Sequence, residues 1–161
     1  MLTSHQLGTN TGLRVSKLCL GTMNFGEPGQ GHQGDWTLGA DDARPIFQAA
    51  IEHGGNYFDC ADIYGIGASE IVVGKLLKEL LPRDEYTLTT KVSMPMGRAP
   101  NQGGLSRKHI MEGIDQSLNR LGHDYVDQLI IHRHPHGIPG LAQTPIEETM
   151  EALNDVVKAG K

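Results

Sequence analysis

The feature that most constrains this chain is a rhythm. Between Lys17 and Lys161, short runs of strand-forming residues alternate with longer runs in which apolar residues recur at helical spacing. Lys17 to Leu20 reads as a strand ended by Gly21, and Asp41 can cap a helix carrying Ile46, Phe47, Ala50 and Ile51 on one face. Asn56 to Asp59 is a second strand, and Ser69 then caps a helix with Val73, Leu76, Leu77 and Leu80 before Pro82. Tyr86 to Val92 is a third, followed by a helix opened by Ser106, with Ile110, Ile114, Leu118 and Leu121, and ended by Gly122. Val126 to His132 is the fourth, and the last helix has Thr144 as N-cap, Pro145 at its first position, Glu147 to complete a capping box, and Met150, Leu153 and Val157 as its apolar residues. A parallel neighbour is reached only by crossing over a face of the sheet. Strands alternating with single helices therefore predict an α/β fold with parallel pairing and right-handed crossovers. The stretch through Leu7-Gly8-Thr9-Asn10-Thr11-Gly12-Leu13 precedes this array and reads as a small hairpin.

Composition narrows the function classes. With 38% hydrophobic and 20% charged residues, the chain is neither disordered nor membrane-like, and no apolar run approaches the roughly 18 residues of a spanning helix. The net charge of −5 is dispersed and no basic stripe tracks a phosphate backbone, so nucleic acid and membrane are not expected partners. Cys19 and Cys60 stand far apart and the first residues carry no secretory pattern, which fits a reducing cytoplasm. The glycine-rich segment from Gly21 to Gly39 contains Gly29-Gln30-Gly31-His32-Gln33-Gly34, a literal G-x-G-x-x-G. A dinucleotide fingerprint needs those glycines in the turn from a strand straight into a helix. Here the strand ends eight residues earlier, so a loop over the mouth of the fold is expected instead.

In parallel βα arrays, reactive groups gather at the C-terminal ends of the strands. Those ends carry Asp59 with Tyr64 just beyond, Lys91, and His132. Strand alternation puts Lys91 on the face of Thr87 and Thr89, Asp59 on that of Tyr57, and His132 on that of Gln128 and Ile130, so all can converge. A buried lysine needs a partner, and Asp59 is the nearest candidate. Such a set suits carbonyl reduction, in which an oxygen that gains negative charge must be stabilised and protonated: Tyr64 and His132 offer donors, and Lys91 eases proton release from the phenol. Taken singly these residues read blandly, Asp59 as a strand-end cap, Tyr64 as a half-buried aromatic and Lys91 as a solvated terminus.

The run Tyr57-Phe58-Asp59-Cys60-Ala61-Asp62-Ile63-Tyr64-Gly65 with Ser69-Glu70, then Thr89-Thr90-Lys91, then Ile130-Ile131-His132-Arg133, resembles the aldo-keto reductases. Leu20-Gly21-Thr22-Met23 and Pro145-Ile146-Glu147-Glu148-Thr149-Met150-Glu151-Ala152-Leu153 are similar to that family too, closest to bacterial members related to potassium-channel β subunits. The resemblance implies a (β/α)8 barrel using NADPH, with Tyr64 as general acid, Lys91 and Asp59 tuning it, and His132 orienting the carbonyl of a small-molecule substrate. It implies that Gly21, Thr22, Met23 and Asp59 approach the cofactor, and that Met23, Trp36, Tyr64 and His132 line the substrate pocket. Cys60 stands where the family has threonine.

Length complicates that implication. A complete barrel needs eight βα units and about 250 residues, whereas 161 residues hold four. The expectation is that residues 1–161 form the N-terminal half of a barrel domain, either as a truncated chain or as a half-barrel whose open edges invite self-association, two copies closing one barrel. Other readings stay beside the reductase. His132-Arg133-His134-Pro135-His136 invites a metal, against which Lys91 would repel a cation. Lys91 alone invites Schiff-base chemistry, against which Asp59 keeps it charged. A non-catalytic binding or regulatory module, or an inert fragment, is the reading from outside enzymology.

Overall fold

A computed structural model describes residues 3–31, 33–134, 141 and 143–161. Met1, Leu2, His32, Pro135 and His136 therefore lie outside the described residues. The chain opens with an antiparallel hairpin of β1 (Ser4–Gln6) and β2 (Arg14–Ser16), closed by the Leu7 amide donating to the Leu13 carbonyl. The remaining strands are β3 (Leu20–Gly21), β4 (Tyr57–Asp59), β5 (Thr87–Val92) and β6 (Gln128–Ile131), pairing in that order as one parallel sheet. Between and after them run α1 (Ala40–Glu52), α2 (Ala68–Leu80), α3 (Arg107–Leu121) and α4 (Ile146–Lys158). Each parallel step is spanned by a helix, as crossover geometry demands. No helix among the described residues is long and apolar enough to cross a membrane.

The core lies between the sheet and the helices. Phe47 of α1 stacks on Phe58 of β4 at 5.6 Å, and Tyr86 meets Phe58 edge-on at 6.3 Å. Leu76 and Leu77 of α2 and Ile110, Ile114 and Leu121 of α3 complete it. All six residues of β5 are buried, so this strand is covered on both faces. That burial makes it the reference against which the site is held.

Local signals decide where the helices begin, with corrections. Ser106 caps α3 by accepting from the His109 amide, and Gly122 ends it in the left-handed region at φ 67°. Asp41, expected to cap α1, lies inside its first turn, and Gly39 is the N-cap. Ser69 does not cap α2: it sits inside the helix after Gly67, with its hydroxyl donating to the Thr22 carbonyl at 2.8 Å. Thr144 does not cap α4 and Pro145 is not yet helical, its ψ of 137° placing it as N-cap. The reason is tertiary. Glu148 in the first turn accepts from the Arg107 amide at 2.8 Å, and Thr149 donates to the Leu105 carbonyl at 3.0 Å, so docking on the start of α3 sets where the helix begins.

The same docking turns α4. Thr149, Ala152 and Val156 face inward, while Met150 and Val157, expected in the core, are 55% and 75% exposed. Small residues let α4 approach α3 closely, and the bulky stripe is left outside. Ile46 of α1 likewise faces out. The first parallel strand is Leu20–Gly21 rather than Lys17 to Leu20, because the Ser16 hydroxyl donates to the Leu18 carbonyl and bends the approach. The described residues of the G-x-G-x-x-G segment are loop, and no helix opens at Gly34.

Candidate active site

The site is built on β4, β5 and the turns that leave their upper ends. β4 ends at Asp59, in register with Thr89, so Lys91 projects one step higher, above the carboxylate. The Lys91 ammonium donates to Asp59 Oδ2 at 2.7 Å, to the Cys60 carbonyl at 2.8 Å and to the Tyr64 hydroxyl at 3.1 Å. It also lies 4.7 Å from the centre of the Tyr64 ring. Three acceptors use all three ammonium protons. Burial pulls the Lys91 ammonium toward losing its proton, but the hydrogen bonds to Asp59 and Tyr64 outweigh it, so its pKa lies above the ordinary lysine value. A lysine kept charged is a poor Schiff-base nucleophile.

Tyr64 reaches this position through an unusual turn. A 3-10 helix, Tyr64–Gly67, carries three successive positive φ values: Gly65 at 59°, Ile66 at 50° and Gly67 at 90°. A β-branched residue in that region is strained, so the turn is held by its surroundings. Gly31 and Gly65 are part of that hold. A Cβ on Gly31 would sit 2.9 Å from Ile66, and one on Gly65 would sit 2.8 Å from Gln33 Oε1, so the glycine-rich loop lies directly on the tyrosine turn.

His132 comes directly after β6, its amide donating to the Val92 carbonyl at 2.9 Å. Its ring meets Tyr64 edge-on, with centroids 5.8 Å apart. Burial, then the Lys91 and Arg133 charges, hold its pKa below the ordinary imidazole value, so the ring is neutral at neutral pH, and Nδ1 is buried without a partner. Asp59, Tyr64 and Lys91 are thus in direct hydrogen-bonding contact, and His132 joins them by ring contact. Met23, Gln33, Trp36, Ile63, Tyr64, Met94, His132 and Arg133 line a cleft of about 260 Å3 above. A larger, mostly apolar cavity lies between β3 and α1, around Leu18, Cys19, Ala50 and Tyr57.

Thr22, expected to approach a cofactor, is fully buried, and its hydroxyl donates to the Asp59 carbonyl at 2.9 Å. Its side chain fixes the strand end instead of facing the open side. Gly21 and Met23 are placed differently. A Cβ on Gly21 would meet nothing within 4 Å, and Met23 is 47% exposed, so the mouth above Asp59 has room for a flat ring. Cys60 packs against Ser69 with its thiol pushed up to about 12 by burial, which makes it a small packing residue and not a reactive one. Of the histidine run, His132 is in the site and His136 is outside the described residues, among which no metal-competent group of three acidic, His or Cys side chains occurs.

Sequence reasoning missed the layer behind the site. Glu70 is fully buried and accepts from Thr90 Oγ1 at 2.6 Å and Arg120 Nε at 2.6 Å. Asp62 is buried beside it. The signal for Glu70 was a charged residue set among apolar ones at the start of α2. Nothing local pointed to Arg120, fifty positions on.

A parallel sheet crossed by helices, with an acid-anchored lysine and a tyrosine at its strand ends, defines the βα-barrel class of enzyme scaffold, here as a partial barrel. The aldo/keto reductase family model matches residues 17–161, and the chain belongs to that family. It is 39% identical to versiconal hemiacetal acetate reductase of Aspergillus parasiticus over 94% of this chain and 47% of that protein. It is 40% identical to a probable voltage-gated potassium channel subunit beta of Arabidopsis thaliana over 93% of this chain and 42% of that protein. The thermostable aldo-keto reductase Tm1743, solved with the inhibitor epalrestat, superposes with a TM-score of 0.76 at 28% identity, covering 99% of this chain and 51% of that one. The holo form of aldo-keto reductase AKR11C1 from Bacillus halodurans gives 0.75 at 32% identity, covering 99% and 48%. The chain spans about half the length of the relatives it matches.

Proposed function

We propose that this chain carries the proton-donating corner of an NADPH-dependent reductase that converts an aldehyde or ketone to an alcohol. The observation that supports it is the contact of Lys91 with both Asp59 and Tyr64, at 2.7 and 3.1 Å, beneath an open cleft. Tyr64 donates the proton at its hydroxyl. Lys91, kept charged by Asp59, stabilises the phenolate left behind, and neutral His132 orients the carbonyl oxygen toward that hydroxyl. Gly21, Met23 and Asp59 would border the nicotinamide end of the cofactor, which when bound supplies the hydride.

The test is loss of NADPH absorbance in the presence of nitrobenzaldehyde. Turnover that Tyr64→Phe abolishes supports the proposal; equal turnover in the variant overturns it. A second reading has a specific observation behind it, the 40% identity to a protein named as a channel β subunit. A non-catalytic module would bind NADPH in a fluorescence titration and show no turnover with any carbonyl.

A further inference from the structure

Asp62 is 1% exposed, and neither of its carboxyl oxygens has a hydrogen-bond partner. It lies two residues before Tyr64, its amide donating to the Lys91 carbonyl at 3.3 Å. A sealed carboxylate without a donor is among the costliest groups a fold can contain. Its surroundings make ionisation worse. Of the charged groups that reach it, Glu70 comes from α2, Arg120 from α3 and Lys91 from β5; the Ile63 amide of its own segment favours the carboxylate more than either cation does, yet stands outside hydrogen-bond geometry. Arg120 is already bonded to Glu70 through Nε at 2.6 Å, and Lys91 is spent on Asp59, Cys60 and Tyr64. Asp59, Asp62 and Glu70 would together face only two cations, so one carboxyl too many is present unless one keeps its proton.

We propose that Asp62 is held as an un-ionised carboxylic acid, kept so by its burial and by the charge of Glu70, and that this neutral acid is a positioning residue for the Tyr64 turn. The structural link is short. Glu70 ties α2 to Thr90, the neighbour of Lys91 in β5, and the arm of Arg120 lies against Gly67, where an added Cβ would collide with it. Arg120, held by Glu70, thus backs the turn at Gly67. Ionising Asp62 sets two carboxylates on one guanidinium, which draws Arg120 off Gly67 and loosens the turn that holds the Tyr64 hydroxyl on Lys91. Burial, then Glu70, push the Asp62 carboxyl up to about 7, so the change falls near neutrality.

The protonation state stands apart from any catalytic role, while its bearing on the reaction rests on the reductase reading. The experiment is a carbon-13 NMR titration of the full chain labelled at aspartate carboxyl and tyrosine ring carbons, assigned with Asp62→Asn and Tyr64→Phe. The expected result is an Asp62 midpoint near 7, a step in the Tyr64 signal at the same pH, loss of that step in Asp62→Asn, and a lower midpoint in Glu70→Gln. Stability provides an independent arm. Because the folded state keeps a proton that the unfolded chain releases near the ordinary value of 3.8, the wild-type folding constant should fall, relative to Asp62→Asn, by about tenfold per pH unit between that value and about 7. An Asp62 midpoint in the ordinary carboxylate range overturns the protonated state, and a midpoint unmoved in Glu70→Gln overturns the part assigned to the Glu70 charge. A Tyr64 signal that does not follow Asp62 overturns the positioning role. Absence of NADPH turnover with all these steps present would count against the reductase reading alone.

Discussion

The two ends of the parallel sheet treat polar side chains in opposite ways. At the C-terminal ends, Tyr64 and His132 line an open cleft, and His132 leaves a ring nitrogen unsatisfied. At the N-terminal ends most are spent on one another, Arg83 Nε alone of that cluster being buried without a partner among the described residues. Asp127 Oδ2 accepts from Arg83 and from the Leu88 amide, both at 2.8 Å, and the Arg83 guanidinium lies 4.0 Å from the centre of the Tyr125 ring. Tyr86 donates to His123 Nε2 at 2.5 Å. A group that is to act on a ligand must have capacity left over, whereas a group that only holds the fold is worth most when saturated. On the proposed function, the difference separates residues that would carry activity from residues that carry stability, and variants at each end should separate in the same way.

The largest effect belongs to the open end. Tyr64→Phe should lower turnover roughly a hundred- to a thousand-fold, the usual loss for one donor aimed at a developing charge. Lys91 keeps Asp59 and the Cys60 carbonyl and loses only its third acceptor at the open cleft, so the unfolding free energy should fall by about 1 kcal/mol. Asp127→Ala should invert that pattern. It strips the Leu88 amide and Arg83 of one acceptor, which should cost about 2 to 3 kcal/mol in urea unfolding and leave the rate per folded molecule unchanged. A rate loss as large as that of Tyr64→Phe would break the comparison.

Gly67→Ala tests whether the ends are joined through the layer between them. At φ 90° an added Cβ is strained, and it would press on Arg120. We expect a loss of about 1 to 2 kcal/mol together with a several-fold drop in turnover, because both the turn and its support shift. A stability loss with no kinetic change would show that Tyr64 is held by Lys91 alone.

How far the residues announce their own placement depends on the range of the interaction involved. α3 was legible at both ends because Ser106 and Gly122 act within one turn of themselves. Asp59, Tyr64, Lys91 and His132 were legible as a set because strand ends in a parallel sheet must be neighbours. The start of α4 was not, since Glu148 and Thr149 answer to Arg107 and Leu105 on another element. Thr22 turns its hydroxyl onto the Asp59 carbonyl, and no local pattern reports which way a threonine turns. Glu70 and Arg120 escaped for the same reason. Their pairing exists only once α2 and α3 pack.

The smallest effect is the pH response of His123 at the N-terminal end, opposite in sign to the larger response of Asp62. His123 Nδ1 faces the Leu121 carbonyl at 2.8 Å, and a carbonyl can only accept, so Nδ1 carries the proton and Nε2 is free to take the Tyr86 hydroxyl. Burial chiefly, with the Arg83 and Lys78 charges behind it, holds the His123 pKa below the ordinary 6.5. The folded chain therefore resists a proton that the unfolded chain accepts. Its stabilising contribution is intact above 6.5 and is lost as pH falls below that value, while the Asp62 contribution declines as pH rises toward about 7. Urea midpoints for wild type and His123→Gln should draw together on acidification, and those for wild type and Asp62→Asn should draw apart on neutralisation. Parallel curves for His123→Gln would mean that the saturated end does not titrate, and that the acid response belongs to His109 or His132, whose pKa values are lowered in the same direction.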